Sequence, residues 1–201
     1  MTTPSIACDA HDSSPESGAD KVLLRSALLT TRKAISASER LDFDARIGKR
    51  VIAWATKLAS DNPTIVLGVY WPIRNEPDLR PAYAQLGTQG VRLALPVVVD
   101  KNAPLQFVNW APGDAMRKDS FGVAIPASGE VVSPQALLIP CVGFNRQRLR
   151  LGYGGGFYDR TLAIDPRPMT VGIGYACALV DFDGASHDIA LDAIFTETGN
   201  L

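Results

Sequence analysis

The sequence reads as one α/β domain built on a parallel sheet, and three observations predict it. The chain has 201 residues of which 46% are hydrophobic, enough for one well-buried core and short for two. Residues 64–70 (Thr-Ile-Val-Leu-Gly-Val-Tyr) form a β-branched, continuously apolar run of the kind a parallel sheet buries on both faces. Helical periodicity precedes that run and strand-like runs follow it.

Residues 1–20 mix Ser, Thr, Pro and Gly with Asp9, Asp12, Glu16 and Asp20 and contain no Lys or Arg. Such a composition buries too little surface to order itself, so a disordered tail is expected over 1–20 and the folded domain over 21–201. The tail has neither the apolar core of a secretory signal nor the arginines of a mitochondrial presequence. From Lys21 a helix is expected, with Leu24, Ala27, Leu28 and Thr31 on its apolar stripe. Lys21 and Arg25 stand one turn apart on a single face, and Arg32 lies near that line two turns on. These cations serve either a solvated face or an anion. Ser36 and Glu39 have capping-box spacing with Ile35 as the staple, opening a second helix whose apolar positions read Leu41, Ala45, Gly48, Ile52, Ala55 and Ala59.

Asn62-Pro63 breaks that helix ahead of the strand at 64–70. At its carboxyl end, residues 71–78 hold Trp71, Arg74 and Glu76 where open α/β sheets bind ligands. Glu76 is either a ligand-binding carboxylate or a first-turn acid of a helix over 78–86. Residues 91–99, interrupted by Pro96, and 105–110 are further strands, and 111–134, rich in Pro and Gly, is a long irregular connection. Strands are also expected at 136–140, 170–175 and 193–196. Between the last two, His187 is read as structural.

Residues 150–160, Arg-Leu-Gly-Tyr-Gly-Gly-Gly-Phe-Tyr-Asp-Arg, carry the strongest functional signal. Gly152, Gly154, Gly155 and Gly156 let backbone approach a ligand closely, and a strand before the loop with a helix start at 157–163 aims free N–H groups at an anion. Arg150 and Arg160 add positive charge, and Tyr153, Phe157 and Tyr158 offer aromatic cover for a ring. Phosphate is the first expectation. The loop is not a P-loop, since it has no lysine, nor the dinucleotide fingerprint, since Phe157 stands where the third glycine belongs.

The whole chain narrows the field further. Twenty Lys and Arg oppose 21 Asp and Glu, so no global basic field attracts nucleic acid, and no apolar run approaches a membrane span. Cys8, Cys141 and Cys177 are odd in number and lack metal or redox spacing, which fits a reducing cytoplasm. With His11 and His187 as the whole histidine complement, a histidine metal cluster is excluded and a Ser-His-Asp triad would have to use His187.

The loop at 150–160, preceded by Ile-Pro-Cys-Val-Gly-Phe at 139–144, resembles the 5-formyltetrahydrofolate cyclo-ligases, or methenyltetrahydrofolate synthetases. Weaker matches follow in order: Lys21-x-x-x-Arg25 with Arg32, Tyr70-Trp71-Pro72 with Glu76, Leu95-Pro96-Val97-Val98, and His187-Asp188 before Leu191-Asp192. The resemblance spans residues 21–198. It departs at Asn145, where the family usually has aspartate, at Gln147-Arg148-Leu149, and at Ala124-Ile125-Pro126, where many members carry glutamate before the proline.

The resemblance implies a three-layer α/β/α fold with a mostly parallel sheet, like ribose-isomerase and CoA-transferase folds. It also implies ATP- and Mg²⁺-dependent closure of 5-formyltetrahydrofolate to 5,10-methenyltetrahydrofolate. By resemblance, Lys21, Arg25 and the loop residues Arg150, Leu151, Gly152, Tyr153, Gly154, Gly155, Gly156, Phe157 and Tyr158 hold ATP, with Arg150 and Tyr158 catalytic. Trp71, Glu76 and the loop from Tyr153 to Phe157 meet the folate, and Asp159 with Asp192 carries Mg²⁺. Two other readings remain open here. One is a non-catalytic nucleotide- or folate-binding relative; the other is a sugar-phosphate isomerase on the same fold, which needs a base in the pocket and no ATP.

Overall fold

The computed structural model describes residues 16–185 and 188–201, so the expectations for residues 1–15 and for His187 lie outside the described residues, while residues 16–20, expected in the tail, are the first residues of a helix. The elements run α1 (Glu16–Ala34), α2 (Ala37–Asp61), β1 (Val66–Gly68), α3 (Arg80–Thr88), β2 (Arg92–Val97) and β3 (Gln106–Trp110). After them come β4 (Met116–Lys118), β5 (Ala124–Pro126), β6 (Val131–Val132), β7 (Ala136–Pro140), β8 (Gly143–Phe144) and β9 (Arg150–Leu151). The chain closes with α4 (Phe157–Leu162), β10 (Met169–Ile173), a 3-10 turn (Ala176–Ala178) and β11 (Ala193–Phe195). No described helix is long and apolar enough to cross a membrane.

Seven strands make one sheet in the order β11-β10-β7-β1-β2-β3-β6. The first five pair in parallel, while β3 and β6 join antiparallel at one edge. Parallel pairing follows from strand composition: β7 is buried from Ala136 to Ile139, with alternate residues facing opposite sides. Ala136 and Leu138 enter a core with Ile47, Val51 and Ala55 of α2 and Tyr83 and Leu86 of α3. Leu137 and Ile139 enter a second core with Phe144 and Leu162. The fold is therefore layered, with α2 and α3 on one face of a mostly parallel sheet and α4 on the other, as expected.

Local chemistry explains the boundaries. Ser36 Oγ accepts from the Glu39 amide at 3.3 Å and Glu39 Oε2 accepts from the Ser36 amide at 3.2 Å, the reciprocal capping box read in the sequence. Pro96 lies inside β2, where β1 pairs no further than Ala94 and β3 is the remaining neighbour, a position that tolerates the missing N–H.

The structure corrects several expectations. The buried face of α2 is Asp44, Ile47, Gly48, Val51 and Ala55, while Leu41 is 72% exposed and Ala45 exposed. Small apolar residues lie on more than one side of α2, and packing on the sheet and α3 selects the larger Ile47 and Val51. On α1, Ala27 and Thr31 are exposed and Arg32 is buried, because the inner side of α1 faces the β8–β9 region and the 3-10 turn. The span 111–134 is not irregular: β4 and β5 form a hairpin and β6 joins the sheet edge. Finally, β7 does not run straight into the glycine loop. The β8–β9 hairpin intervenes, and the loop leaves β9.

Candidate functional site

A cavity of about 970 Å³ opens at the carboxyl ends of β1, β2 and β7, where chain leaving parallel strands leaves room for a ligand. Lys21 and Arg25 of α1 reach it from one side, the segment from Tyr70 to Glu76 from another, and the turn between β4 and β5 (Asp119, Phe121, Gly122) from a third. The glycine loop and the start of α4 complete the wall, from Arg150 through Asp159.

Backbone conformation in the loop needs its glycines. Gly154 (φ 90°) and Gly156 (φ 66°) lie in the left-handed region that side-chain-bearing residues avoid. Gly156 also caps α4 and has no side chain to fill the N–H end of that short helix. Arg25 Nε donates to the Gly152 carbonyl at 2.8 Å, fixing a cation against the loop. Lys21 pairs with Asp188 at 3.1 Å, both side chains mostly buried. Arg150 is 8% exposed; it donates to Asp159 Oδ1 at 2.5 Å and to the Ile189 carbonyl at 3.2 Å, and its guanidinium lies 5.9 Å from the Tyr158 ring centroid. Burial raises the Tyr158 hydroxyl well above the ordinary phenol range, with the Glu76 charge adding to the effect, so this group is a donor.

A second group of residues surrounds Glu76, which is 3% exposed. Its Oε2 accepts from the Ile73 amide at 2.9 Å and its Oε1 from the Tyr153 hydroxyl at 2.8 Å. Burial nonetheless dominates and pushes its pKa up to about 7, against the pull of those donors and of Arg32 and Arg74. Trp71 meets Trp110 edge to face at 6.1 Å, and the Arg80 guanidinium lies 5.3 Å from the Trp71 centroid. Arg74 lies 5.1 Å from the Tyr153 ring centroid, tying the glycine loop to the segment that carries Glu76. Cys141 is no nucleophile here, because burial pushes its thiol up to about 12.

The sequence-predicted residues converge on this cavity with one exception. Lys21, Arg25, Trp71, Glu76 and every residue from Arg150 to Asp159 line it. Asp192 does not. It precedes β11, at the end of the sheet away from the cavity, where its Oδ2 accepts from the Thr170 amide at 2.7 Å and hydroxyl at 2.8 Å and its Oδ1 pairs with Arg167 at 3.3 Å. The chain order that put Asp192 beside a family motif concealed this: a residue entering a parallel strand lies a strand's length from the loops that leave one. Among the described residues no three His, Cys, Asp or Glu side chains gather as a metal cluster. Asp159 remains a hard oxygen donor on the cavity wall, and a magnesium ion carried on phosphates needs one or two protein carboxylates.

The sequence set Arg74 at the ligand-binding end of the first strand, and the structure places it on the cavity wall, but the β4–β5 turn was not assigned to the site and the burial of Arg32 was not foreseen. The turn was read as irregular, and Arg32 as part of a surface line, since helical spacing alone does not show which cation a neighbouring loop will cover.

A glycine loop edged by cations, beside a buried carboxylate and aromatic rings at the carboxyl edge of a parallel sheet, defines an α/β protein equipped to hold an anion next to a ring-bearing ligand. Residues 17–197 match the 5-formyltetrahydrofolate cyclo-ligase family, and the chain belongs to that family of ligases. The chain is similar to the 5-formyltetrahydrofolate cyclo-ligase of Mycoplasma pneumoniae, with 29% identity over 181 residues covering 89% of this chain and 99% of the relative. It is also similar to that of Escherichia coli K12, with 32% identity over 154 residues covering 71% and 85%. The solved 5,10-methenyltetrahydrofolate synthetase from Mycoplasma pneumoniae superposes with a TM-score of 0.72 at 27% identity, over 89% of this chain and 99% of that one.

Proposed function

We propose that this chain, acting as one domain over 21–201, uses Mg-ATP to cyclise 5-formyltetrahydrofolate to 5,10-methenyltetrahydrofolate, releasing ADP and phosphate. The observation that carries the reading is the convergence of Lys21, Arg25, Arg150 and the Gly152–Gly156 backbone on the cavity that Trp71 and Glu76 also line. Cations and glycine N–H groups suit a triphosphate, whereas an aromatic face and a carboxylate suit a pteridine ring with polar N–H groups. Free thiols at Cys141 and Cys177 fit the proposed cytoplasmic setting.

The chemistry calls for positioning more than for a covalent nucleophile. The formyl oxygen is a poor leaving group. In the proposed reaction it bonds to the γ-phosphorus of ATP as the bond to the ADP oxygen breaks. N10 then attacks the formyl carbon and loses its proton, and the carbon–oxygen bond breaks, phosphate carrying the oxygen away. Lys21, Arg25 and Arg150 neutralise charge on the transferred group, and the protonated Tyr158 hydroxyl is a further donor to it. Glu76 accepts from N–H groups of the folate while Trp71 and Phe157 cover its rings. Asp159 is the residue that would hold Mg²⁺, which when bound spreads the phosphate charge.

Phosphate release by the purified protein with Mg-ATP tests this directly. Release that depends on 5-formyltetrahydrofolate and matches formation of the methenyl product is expected. Binding of both ligands without turnover would identify a non-catalytic relative, and release indifferent to the folate would overturn the reading.

A further inference from the structure

Arg32 is 4% exposed, and neither terminal guanidinium nitrogen completes a well-formed hydrogen bond among the described residues, although the side chain reaches the neighbourhood of the Tyr153 hydroxyl. A buried cation with two unmet donors is costly unless an opposite charge stands near it. Its charge acts on the Glu76 carboxylate and on the Tyr153 hydroxyl that donates to Glu76 Oε1 at 2.8 Å. Like Glu76, the other buried carboxylates accept hydrogen bonds, Asp44 from the Tyr175 hydroxyl at 2.7 Å and Glu197 from the Ala176 amide at 2.9 Å, but the cation acting on Asp44 is Arg40, whereas Arg32 acts on Glu76.

We propose that Arg32 is a positioning residue of the folate site: across the Tyr153 hydroxyl it holds Glu76 as a carboxylate, so that Glu76 accepts the N–H donors of the folate at neutral pH. The proposal rests on the folate reading of the cavity and deepens it. Arg32 does not line the cavity, whereas Glu76 and Tyr153 do, so its action passes through them. The groups facing Glu76 come from several elements. Arg32 of α1 and Arg74 of its own segment favour the charged form, as do the Ile73 amide and the Tyr153 hydroxyl. Tyr70, Tyr83 of α3, Tyr158 of α4 and Cys141 also feel the Glu76 charge; all four are held protonated by burial and supply no cation. Arg74 is exposed, which leaves Arg32 as the buried counter-charge.

Carboxyl-carbon NMR of the ligand-free full-length protein tests the pairing, with the Glu76 signal identified by its loss in Glu76→Gln. In wild type the Glu76 midpoint is expected near 7. Arg32→Met should raise it by about one unit or more, and Arg32→Lys, which keeps the cation, should fall nearer wild type. In turnover, Arg32→Met should raise the folate KM about tenfold near pH 7, recover toward wild type near pH 9 where Glu76 ionises unaided, and leave the ATP KM unchanged. An unmoved Glu76 midpoint, or equal losses at every pH and for both substrates, would overturn the proposal and mark Arg32 as packing only. If Arg32→Met does not fold, adding Glu76→Gln should restore folding, because the buried carboxylate no longer lacks its counter-charge; failure of that rescue overturns it equally. A wild-type protein that leaves 5-formyltetrahydrofolate unchanged would sink the folate reading, while the ligand-free titration would still decide the pairing.

Discussion

At Glu76, the requirements of stability and of the proposed binding role oppose each other. Burial lifts its pKa from 4.5 to about 7, so between those values the unfolded chain has released a proton that the folded chain still holds. Stability is therefore present in full below about pH 4.5 and falls as pH rises to about 7, by roughly 3 kcal/mol if the whole shift is expressed. Glu76→Gln removes that titration. It should be more stable than wild type near pH 8 and equal to it near pH 4, and should bind folate weakly while ATP affinity stays near normal. Denaturant unfolding at both pH values, with separate ligand titrations, checks each half. Asp159 gives a different balance, since its partner Arg150 is buried and Asp159 itself lines the cavity. Asp159→Asn should cost about 1–3 kcal/mol by leaving Arg150 underpaired, lower kcat by orders of magnitude, and raise the magnesium needed for half-maximal rate. A variant with an unchanged magnesium requirement would defeat the metal-ligand assignment, whatever its melting temperature.

Among the elements, the β8–β9 hairpin explains the departure at Asn145. This buried amide uses both ends: Oδ1 accepts from the Leu149 amide at 2.9 Å and Nδ2 donates to the Phe182 carbonyl at 3.0 Å. A carboxylate has nothing to donate, so restoring aspartate should set it against the Phe182 carbonyl and cost about 1–3 kcal/mol. Thermal melts of Asn145→Asp at neutral pH measure this, and an unchanged melting temperature would contradict it. The hairpin also marks the limit of what sequence patterns carry. The capping box at Ser36 and the strands at β1, β7 and β10 were legible because each is fixed by local chemistry or a continuous apolar run. The two-residue strands of β8 and β9 have no period to read, and the β4–β5 hairpin was obscured by the Pro and Gly that make its turns. In the site, the glycine loop and the cations on α1 were legible from spacing. The distance of Asp192 from the cavity was not, because it depends on which end of a parallel strand a residue occupies. Nor was the burial of Arg32, which depends on what packs over α1.

On the scale of the whole molecule, the cavity joins pieces that the sheet leaves loosely connected. α1 is tied to the glycine loop through Arg25 and to the segment before β11 through Lys21 and Asp188, while Glu76 is tied to the loop through Tyr153. A nucleotide held by Lys21, Arg25 and the loop would bind the native arrangement and not the unfolded chain, and so stabilise it by mass action. At about a hundredfold excess over Kd the gain is about 2.7 kcal/mol, or about 5–10 °C for a chain of this size. Mg-ATP and 5-formyltetrahydrofolate should each raise the melting temperature. Because the proposed function gives Glu76 to the folate alone and Lys21 and Arg25 to the nucleotide alone, the shifts should come apart under mutation: Glu76→Gln should lose the folate shift and keep the nucleotide shift, and the double variant Lys21→Ala/Arg25→Ala should do the reverse. Loss of both shifts together in Glu76→Gln would mean that Tyr153 couples the loop to Glu76 too tightly for the two halves to bind independently.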